Sequence, residues 1–561
     1  MSTPAEPTLG QLFQAGRHQE VLDLAAAHGH PELLPAPVLN LLAISAIRLG
    51  RDDIAEAYLR TAITHHPQQP DAYSNLGNLL RNRGQTAAAE AAYRRAIEIN
   101  PQHPDALNNL GVTLLNVGRV DEAEPLCRRA TESAPAHANA WNNLAAVLLE
   151  QRNYVAAEHA ASQAVAANSR LLDAWSNLAA ALKNQGRFAD ARAACHRALA
   201  LDPAHIGALN NLGNAFQQEG EFAQAEAVFR AGLARDPEHV EMRWNHALSL
   251  LALGDYAAAW PRYEIRYSPK RKERHAVPPP FGSRQWQGES LQGQTLLIWP
   301  EQGFGDQIQC IRFAPLLKSR CGAARIVVRC KPALAALMAS QPAVDDVVTS
   351  DETPPPHDCW TFPFSIAGHL GITLDNLPAE RPYLFADTAR IAHWQPRLPE
   401  RPPQGLRVGL VWKGSSLHRN DAQRSLSGLA ALAPLWSLAD LRFVSLQKGQ
   451  GEDEAQSPPA QQPLVHLGSE IQDFADSAAI VAQLDLVICV DTAIAHLAGA
   501  LGKPCWVLLP AIGSDWRWMS GRTDSPWYPE ALRLFRQAAN EDWSTVIERV
   551  VDALKSLNRC D

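Results

Sequence analysis

A 34-residue period runs through the first half of this chain and leaves few folds open to it. Rows of that length beginning at Ala36, Pro70, Pro104, Ala138, Leu172, Ile206 and Val240 align column by column. One column reads Ala55, Ala89, Ala123, Ala157, Ala191, Ala225 and Ala259, and another Ala43, Gly77, Gly111, Ala145, Ala179, Gly213 and Ala247. Small residues at these places let two antiparallel helices approach closely. A third column, Gly50, Gly84, Gly118, Arg152, Gly186, Gly220 and Gly254, marks the left-handed cap that ends the first helix of each unit. Rows close on Pro67, Pro101, Pro135, Ser169, Pro203 and Pro237, where proline stops the second helix.

This helix–turn–helix pattern resembles the tetratricopeptide repeat. The resemblance covers residues 36–267 as seven repeats, and residues 1–35 hold a degenerate half-unit that keeps Gly16. It implies an α superhelix whose concave groove binds peptide or protein. One column is not required for packing: Leu41, then Asn75, Asn109, Asn143, Asn177, Asn211 and Asn245. The column before it is also polar, with Ser74, Asn108, Asn142, Ser176 and Asn210. An amide both donates and accepts, so a row of them suits an extended peptide backbone of any sequence. In this the array resembles the repeats of O-linked N-acetylglucosamine transferases, where an asparagine ladder holds the acceptor polypeptide. The competing use of these amides is to satisfy backbone groups between repeats.

The full chain, 561 residues, amounts to about three or four domains. With 46% hydrophobic residues it can bury a core. A net charge of −8 makes it a poor partner for nucleic acid. Its one dense basic run, Lys270 to Arg274, reads as a solvated hinge. The nine cysteines are scattered without a Cys-x-x-Cys pair, which predicts reduced thiols and no zinc site. The N-terminal residues show no secretory pattern, and no apolar stretch of about 18 residues offers a membrane span. A cytoplasmic protein is expected.

After residue 270 the texture changes, and short apolar strands alternate with helical stretches. A connector, 268–294, contains Pro278-Pro279-Pro280. Strands are predicted at 295–300, 324–330 and 346–350. A second series follows at 406–414, 441–447, 464–468, 484–491 and 505–510. Such alternation predicts parallel sheets covered on both faces. Two Rossmann-like domains facing a cleft are therefore expected, at 295–400 and 401–540. The last helical stretch, within 541–561, is expected to cross back onto the first domain, which gives the GT-B plan.

Two strand-to-helix turns carry unusual residues, at the ends of strands where α/β proteins bind ligands. The first is Pro300-Glu301-Gln302-Gly303-Phe304-Gly305-Asp306, in which Asp306 caps a helix or points into a cleft. The second is Asp491-Thr492-Ala493-Ile494-Ala495-His496-Leu497, where free N–H groups at a helix start suit a diphosphate. Its structural alternative is an Asp or Thr cap with His496 facing the core. Together the turns resemble bacterial glycosyltransferase family 9, the heptosyltransferase-like enzymes, with Ala493 where that family usually has Gly. The resemblance implies an inverting sugar transferase that uses a nucleotide sugar and neither metal nor cofactor. It matches Asp306 to the catalytic base, and Gly303, Gly305, Asp491, Thr492, Ala493 and His496 to the donor side. Positive charge for the departing diphosphate is expected from Arg424 and Lys448, ahead of Lys413. The aromatic segment Asp515 to Trp518, with Trp527 beyond it, either lines the cleft or forms a hydrophobic plug between domains; the cleft role is preferred, and Arg517 is then expected to touch a donor phosphate.

These features predict a glycosyltransferase acting on a polypeptide held by the repeats. Two rivals stand beside it: a transferase for glycan or lipid-linked acceptors that uses the repeats for docking, and a non-catalytic scaffold.

Overall fold

A computed structural model describes the chain except residues 1–7, 28–29, 272, 275, 302, 419, 459–463, 540 and 558–561. Part of the N-terminal stretch, Lys272 of the basic run and Cys560 therefore lie outside the described residues. The chain divides into two compact units, 1–212 and 213–561.

The first unit is helix pairs throughout. Two short helices, Leu9–Gln14 and His18–Ala26, flank Gly16 in the left-handed region, as the half-unit requires. Full pairs follow, beginning with Ala36–Arg48 and Asp52–His65 and continuing in register through Phe188–Leu201. Gly50, Gly84, Gly118 and Gly186 all have positive φ, and Arg152 takes the same conformation at 60°. The column thus demands the backbone shape even where it lacks glycine. A side chain on Gly77 would collide with Tyr93, and one on Gly111 with Cys127, so the small-residue column is a close helix approach.

A feature absent from the sequence reading staples these repeats. His103, His137 and His205 each cap a helix, Nδ1 accepting an N–H three residues on. Their Nε2 atoms sit 2.9, 3.1 and 3.2 Å from Asp71, Asp105 and Asp173 of the preceding repeat.

The second unit contains the last helix pair, Val240–Leu253 and Tyr256–Tyr263, and two parallel sheets. The first sheet uses β1 (Arg284–Gln285), β2 (Thr295–Ile298), β3 (Arg325–Cys330), β4 (Asp346–Thr349) and β5 (Cys359–Thr361), in the order β1-β5-β2-β3-β4. The second uses β6 (Leu406–Val411), β7 (Leu441–Ser445), β8 (Leu464–His466), β9 (Leu486–Val490), β10 (Cys505–Leu509) and β11 (Leu532–Arg536), in the order β11-β10-β9-β6-β7-β8. In each sheet the order reverses beside its first long strand, at β2/β5 and at β6/β9. Those are the crevices where doubly wound sheets bind ligands.

Three expectations change. The connector is not a free linker: β1 pairs with β5, and Trp286 is fully buried. Within the basic run, Arg271 is buried, 3.1 Å from Glu241 and stacked 4.3 Å over Trp244, so it is no solvated hinge. The final helix, Trp543–Leu557, does not cross to the first domain. Its apolar face, with Val546, Ile547, Val550 and Leu554, packs in one core with Val408, Leu410 and Phe535 of the second sheet. The strands β5 and β11 escaped prediction because Cys359–Thr361 is short and Leu532–Arg536 carries two arginines.

The last repeat is part of the α/β core. Tyr256, Trp260 and Tyr263 cluster with Phe364, Trp516 and Trp527. The Trp260 indole N–H donates to the Ile372 carbonyl at 2.8 Å, and that of Trp527 to the Tyr256 hydroxyl at 2.8 Å.

Candidate functional site

The first turn leaves β2 at the switch point of its sheet. Glu301 is fully buried and paired with Arg266, which also bonds Glu264 and Ser365. Its other oxygen accepts the Phe364 N–H at 2.7 Å. The turn is thereby fastened to the end of the last repeat and to the segment after β5. A short helix, Phe304–Cys310, follows. Asp306 is its third residue, not its N-cap: Oδ2 accepts the Gly303 N–H at 2.7 Å, and Oδ1 accepts from Arg517. Gly305 is needed for close approach. A Cβ there would lie 2.6 Å from His496 Cδ2 and 3.5 Å from Ala493 Cα. A Cβ at Gly303 would touch only Asp306, at 3.4 Å, so that glycine is sterically optional.

The second turn leaves β9 at the other switch point. Thr492 has extended backbone and sits just before the helix Ala493–Ala500. Its side chain does not cap that helix, and its Oγ1 is buried with no hydrogen-bond partner among the described residues. The uncapped N–H groups keep their capacity for an anion. Arg424 reaches this turn: its Nη1 donates to the Asp491 carbonyl at 3.0 Å, and Gly414, just past β6, lies against its guanidinium.

The two turns converge through Gly305, Ala493 and His496, which puts Asp306 and the helix start at Thr492 on one locus. His496 itself serves the packing. Its ring stacks on Trp518 at 5.3 Å, and Nδ1 lies 2.9 Å from the Tyr528 hydroxyl. Burial, with Arg517 adding to it, drives its pKa down to about 3, so it is neutral and brings no charge to a phosphate.

Lys448 and Lys413 make their contacts with groups outside the two turns. Lys448 is exposed, with Nζ 3.5 Å from the Gly468 carbonyl, and Lys413 is 3.3 Å from Glu454. Buried Gln447 ties the loops that carry them, accepting the Trp412 and Lys413 N–H groups and donating to the Lys413 and Gln450 carbonyls. Of the cations named from the sequence on the donor side, Arg424 reaches the Thr492 turn and Arg517 reaches Asp306.

The aromatic segment differs most from expectation. Trp516 and Trp527 plug the core against Tyr256, Trp260, Tyr263 and Phe364, so they do not line a cleft. The Arg517 guanidinium is enclosed. It donates to Asp306, to both oxygens of Asp515 at 2.8 and 2.9 Å, and to Gln309 at 2.8 Å. Asp515 and Gln309 are the participants the sequence reading assigned no role. The alternation of charge and tryptophan in Asp515-Trp516-Arg517-Trp518 was the available signal.

The electrostatics follow from this packing. Burial raises Asp306 to about 6, with Arg517 opposing and Asp515 adding to the rise. Burial likewise raises Asp491 to about 6, with Asp515 adding and Arg424 opposing. Asp515 is also buried, but Arg517 holds it below the usual carboxylate range. Perturbed acids gathered in a crevice are a common mark of chemistry. Among the described residues no group of three or more His, Cys, Asp or Glu is arranged to hold a metal ion.

The asparagine column is half-buried and already bonded between repeats. Asn109 donates to Asn78 at 2.9 Å, Asn143 to Asn108 at 2.8 Å, Asn177 to Asn142 at 2.9 Å, and Asn211 to the Ser176 carbonyl at 2.9 Å. Asn177 and Asn211 each reach a second acceptor as well, the Asn142 carbonyl at 3.3 Å and the Ser176 hydroxyl at 3.2 Å. The equivalent residues Asn75 and Asn245 begin and end the series in the sequence.

Comparison with known proteins agrees with this division. Residues 17–268 match the family described as the cilia and flagella-associated protein 70 C-terminal domain, a tetratricopeptide-repeat family. Residues 444–508, which contain β7 to β10 and the Thr492 turn, match glycosyltransferase family 9 (heptosyltransferase). Protein FlbA of Caulobacter vibrioides is 30% identical over 341 residues, 56% of this chain and 55% of FlbA. The chain thus spans about half the length of that curated relative. Two solved structures are similar in the repeats. YrrB, a tetratricopeptide-repeat protein with an unusual peptide-binding site, is 21% identical over 33% of this chain and 95% of its own, at a TM-score of 0.29. PilF of Pseudomonas aeruginosa is 18% identical over 37% and 95%, at 0.34. The chain carries tetratricopeptide-like repeats followed by parallel α/β sheets with a glycosyltransferase family 9 region.

Proposed function

We propose that the chain is a glycosyltransferase that moves a sugar from a nucleotide-sugar donor to a polypeptide acceptor engaged by the repeats. The observation that carries this reading is the convergence of two switch-point turns, one bearing Asp306 and the other an uncapped helix start at Thr492. The match to glycosyltransferase family 9 at the second turn supports it.

In this reading the donor diphosphate lies at the Thr492 N-terminus, with Arg424 beside it. Asp306 removes the proton from the acceptor nucleophile as that atom attacks the anomeric carbon from the face opposite the diphosphate. The bond to the diphosphate breaks, the configuration inverts, and the leaving group departs with its charge held by helix N–H groups and Arg424. These residues need neither metal nor cofactor for that sequence, and the cytoplasm supplies such donors. An acid held near 6 is ionised at neutral pH while remaining a competent base.

One observation favours a second acceptor class. Since Asn109, Asn143, Asn177 and Asn211 bond between repeats, the ladder has a purpose without a peptide, and a glycan or lipid-linked acceptor with the repeats as a docking module fits equally there. The test is intact-mass analysis of proteins co-expressed with and without this chain. A protein gaining one sugar mass supports the first reading. Sugar appearing only on glycan or lipid supports the second, and donor binding with no transfer to anything leaves a scaffold.

A further inference from the structure

Arg517 belongs to neither turn, yet it ties the first of them to the segment after β10. It comes from the turn Trp516–Trp518 after β10 and reaches Asp306, 211 residues earlier. Its side chain is only 6% exposed. Phe364 and Trp516 both lie against the guanidinium, at 4.8 and 4.5 Å, and meet each other edge-on. Asp515 holds one edge with two bonds and is itself tied down by the Arg517 backbone N–H at 2.9 Å. Gln309, one helical turn beyond Asp306, takes Nε. That leaves Nη2 aimed at Asp306 Oδ1, while Gly303 holds Oδ2.

We propose that Arg517 is a positioning residue: braced by Asp515 and Gln309, it aims the Asp306 carboxylate and keeps it ionised in a buried crevice. The proposal rests on the reading of Asp306 as the base. The titratable groups around Asp306 are Arg517 and Asp515 from the 515–517 turn, Glu301 from its own turn, Cys310 from its own helix, and His496, neutral, which packs against Gly305 from the helix Ala493–Ala500. Glu301 is neutralised by Arg266. Arg517 is thus the cation that offsets both burial and the neighbouring acids. A fork-shaped guanidinium suits this bridging task, since one planar group meets two carboxylates and an amide at fixed angles, which a lysine cannot do. The same commitments remove Arg517 from the donor-phosphate role that its place after β10 implied.

The test uses the full chain, with transfer to the acceptor found by mass followed from pH 5 to 9. Binding of UDP, GDP, ADP and CDP is measured by calorimetry. Arg517→Gln should lower transfer at pH 7 at least tenfold and move the acid limb of kcat/KM up by about one pH unit. Affinity for the preferred diphosphate should stay within about threefold. Arg517→Lys, which keeps the charge and loses the fork, should move the limb less while kcat still falls, and it serves if the Gln variant does not fold. A limb that stays in place in both variants makes Arg517 merely structural and overturns the proposal. So does a tenfold loss of diphosphate affinity with the limb unmoved, which would make Arg517 a phosphate ligand. Asp306→Asn is run alongside: if it retains transfer, the base assignment falls and the proposal with it, whereas an inactive Asp306→Asn with an unmoved Arg517 limb defeats the proposal alone.

Discussion

The repeats and the α/β region are built from opposite kinds of contact. In the repeats, the bonds that define the structure join residues about one unit apart, such as Asn143 to Asn108 and His137 to Asp105. In the α/β region they span the chain: Arg517 to Asp306, Arg312 to the Trp527 carbonyl, and Trp527 to Tyr256, 271 residues apart. A periodic fold repeats its reasons, so a column reveals them. A crevice assembled from distant segments states each reason once. The same side chain type is accordingly easy to place in the first region and easy to misassign in the second.

The largest difference should appear when a long-range plug is removed. Trp527→Ala deletes a fully buried indole and its bond to Tyr256, and large core truncations of this kind cost about 3–5 kcal/mol. Urea unfolding should show the transition of the α/β region falling while that of the early repeats stays in place. Simultaneous loss of both would mean that the two regions unfold together.

The local ladder should give way more gently. Replacing Asn109, Asn143, Asn177 and Asn211 with Ala removes four inter-repeat bonds. Each costs about 0.5–1.5 kcal/mol, and alanine returns about 0.5 through helix propensity, so the sum is about 2 kcal/mol. Unchanged repeat stability with lost acceptor binding would move the column's purpose entirely to the ligand.

Acid should strain the crevice through His496. Its pKa is about 3 folded against 6.5 for the ordinary group, so below 6.5 the unfolded chain takes up a proton that the folded one refuses. Stability from this group is therefore complete above 6.5 and is lost as pH falls. Asp306 and Asp491 act in the opposite sense between 3.8 and about 6, because the folded state binds their protons more readily. The comparison must be with a variant. From pH 7 to 5 the wild type should lose about 2 kcal/mol more than His496→Gln. Parallel losses would mean that His496 titrates normally.

The smallest effect separates the two glycines of the first turn. Gly305→Ala presses on His496 and should cost about 1 kcal/mol, while Gly303→Ala makes an ordinary contact and should be nearly silent. Thermal melts that rank them the other way would show that the Gly303 backbone, not the approach to His496, limits the turn.

What could be read from the sequence follows the same line. The repeat columns named the left-handed glycine caps correctly, because one backbone geometry recurs in every unit, and Arg152 takes that geometry without the glycine. Both switch-point turns were also legible, since a strand, a glycine or small residue, and a carboxylate stand adjacent in the chain. Partners that arrive from elsewhere were not. Nothing local shows that Arg517 turns toward Asp306, that Trp516 meets the last repeat, or that Arg271 stacks on Trp244. The final helix was assigned to the wrong sheet for the same reason: its amphipathic pattern shows that it packs, not against which face.

The central claim is that two turns, one from each sheet, form a single transferase site with Asp306 as its base. Asp306→Asn tests it most directly, with intact mass of the acceptor and calorimetry of the nucleoside diphosphate read on the same preparation. The account predicts a loss of transfer of about 10²-fold or more with diphosphate affinity kept within a few-fold, because the helix start at Thr492 and Arg424 are untouched. Transfer within a few-fold of wild type would contradict it and leave Asp306 as the carboxylate that closes the turn at Gly303.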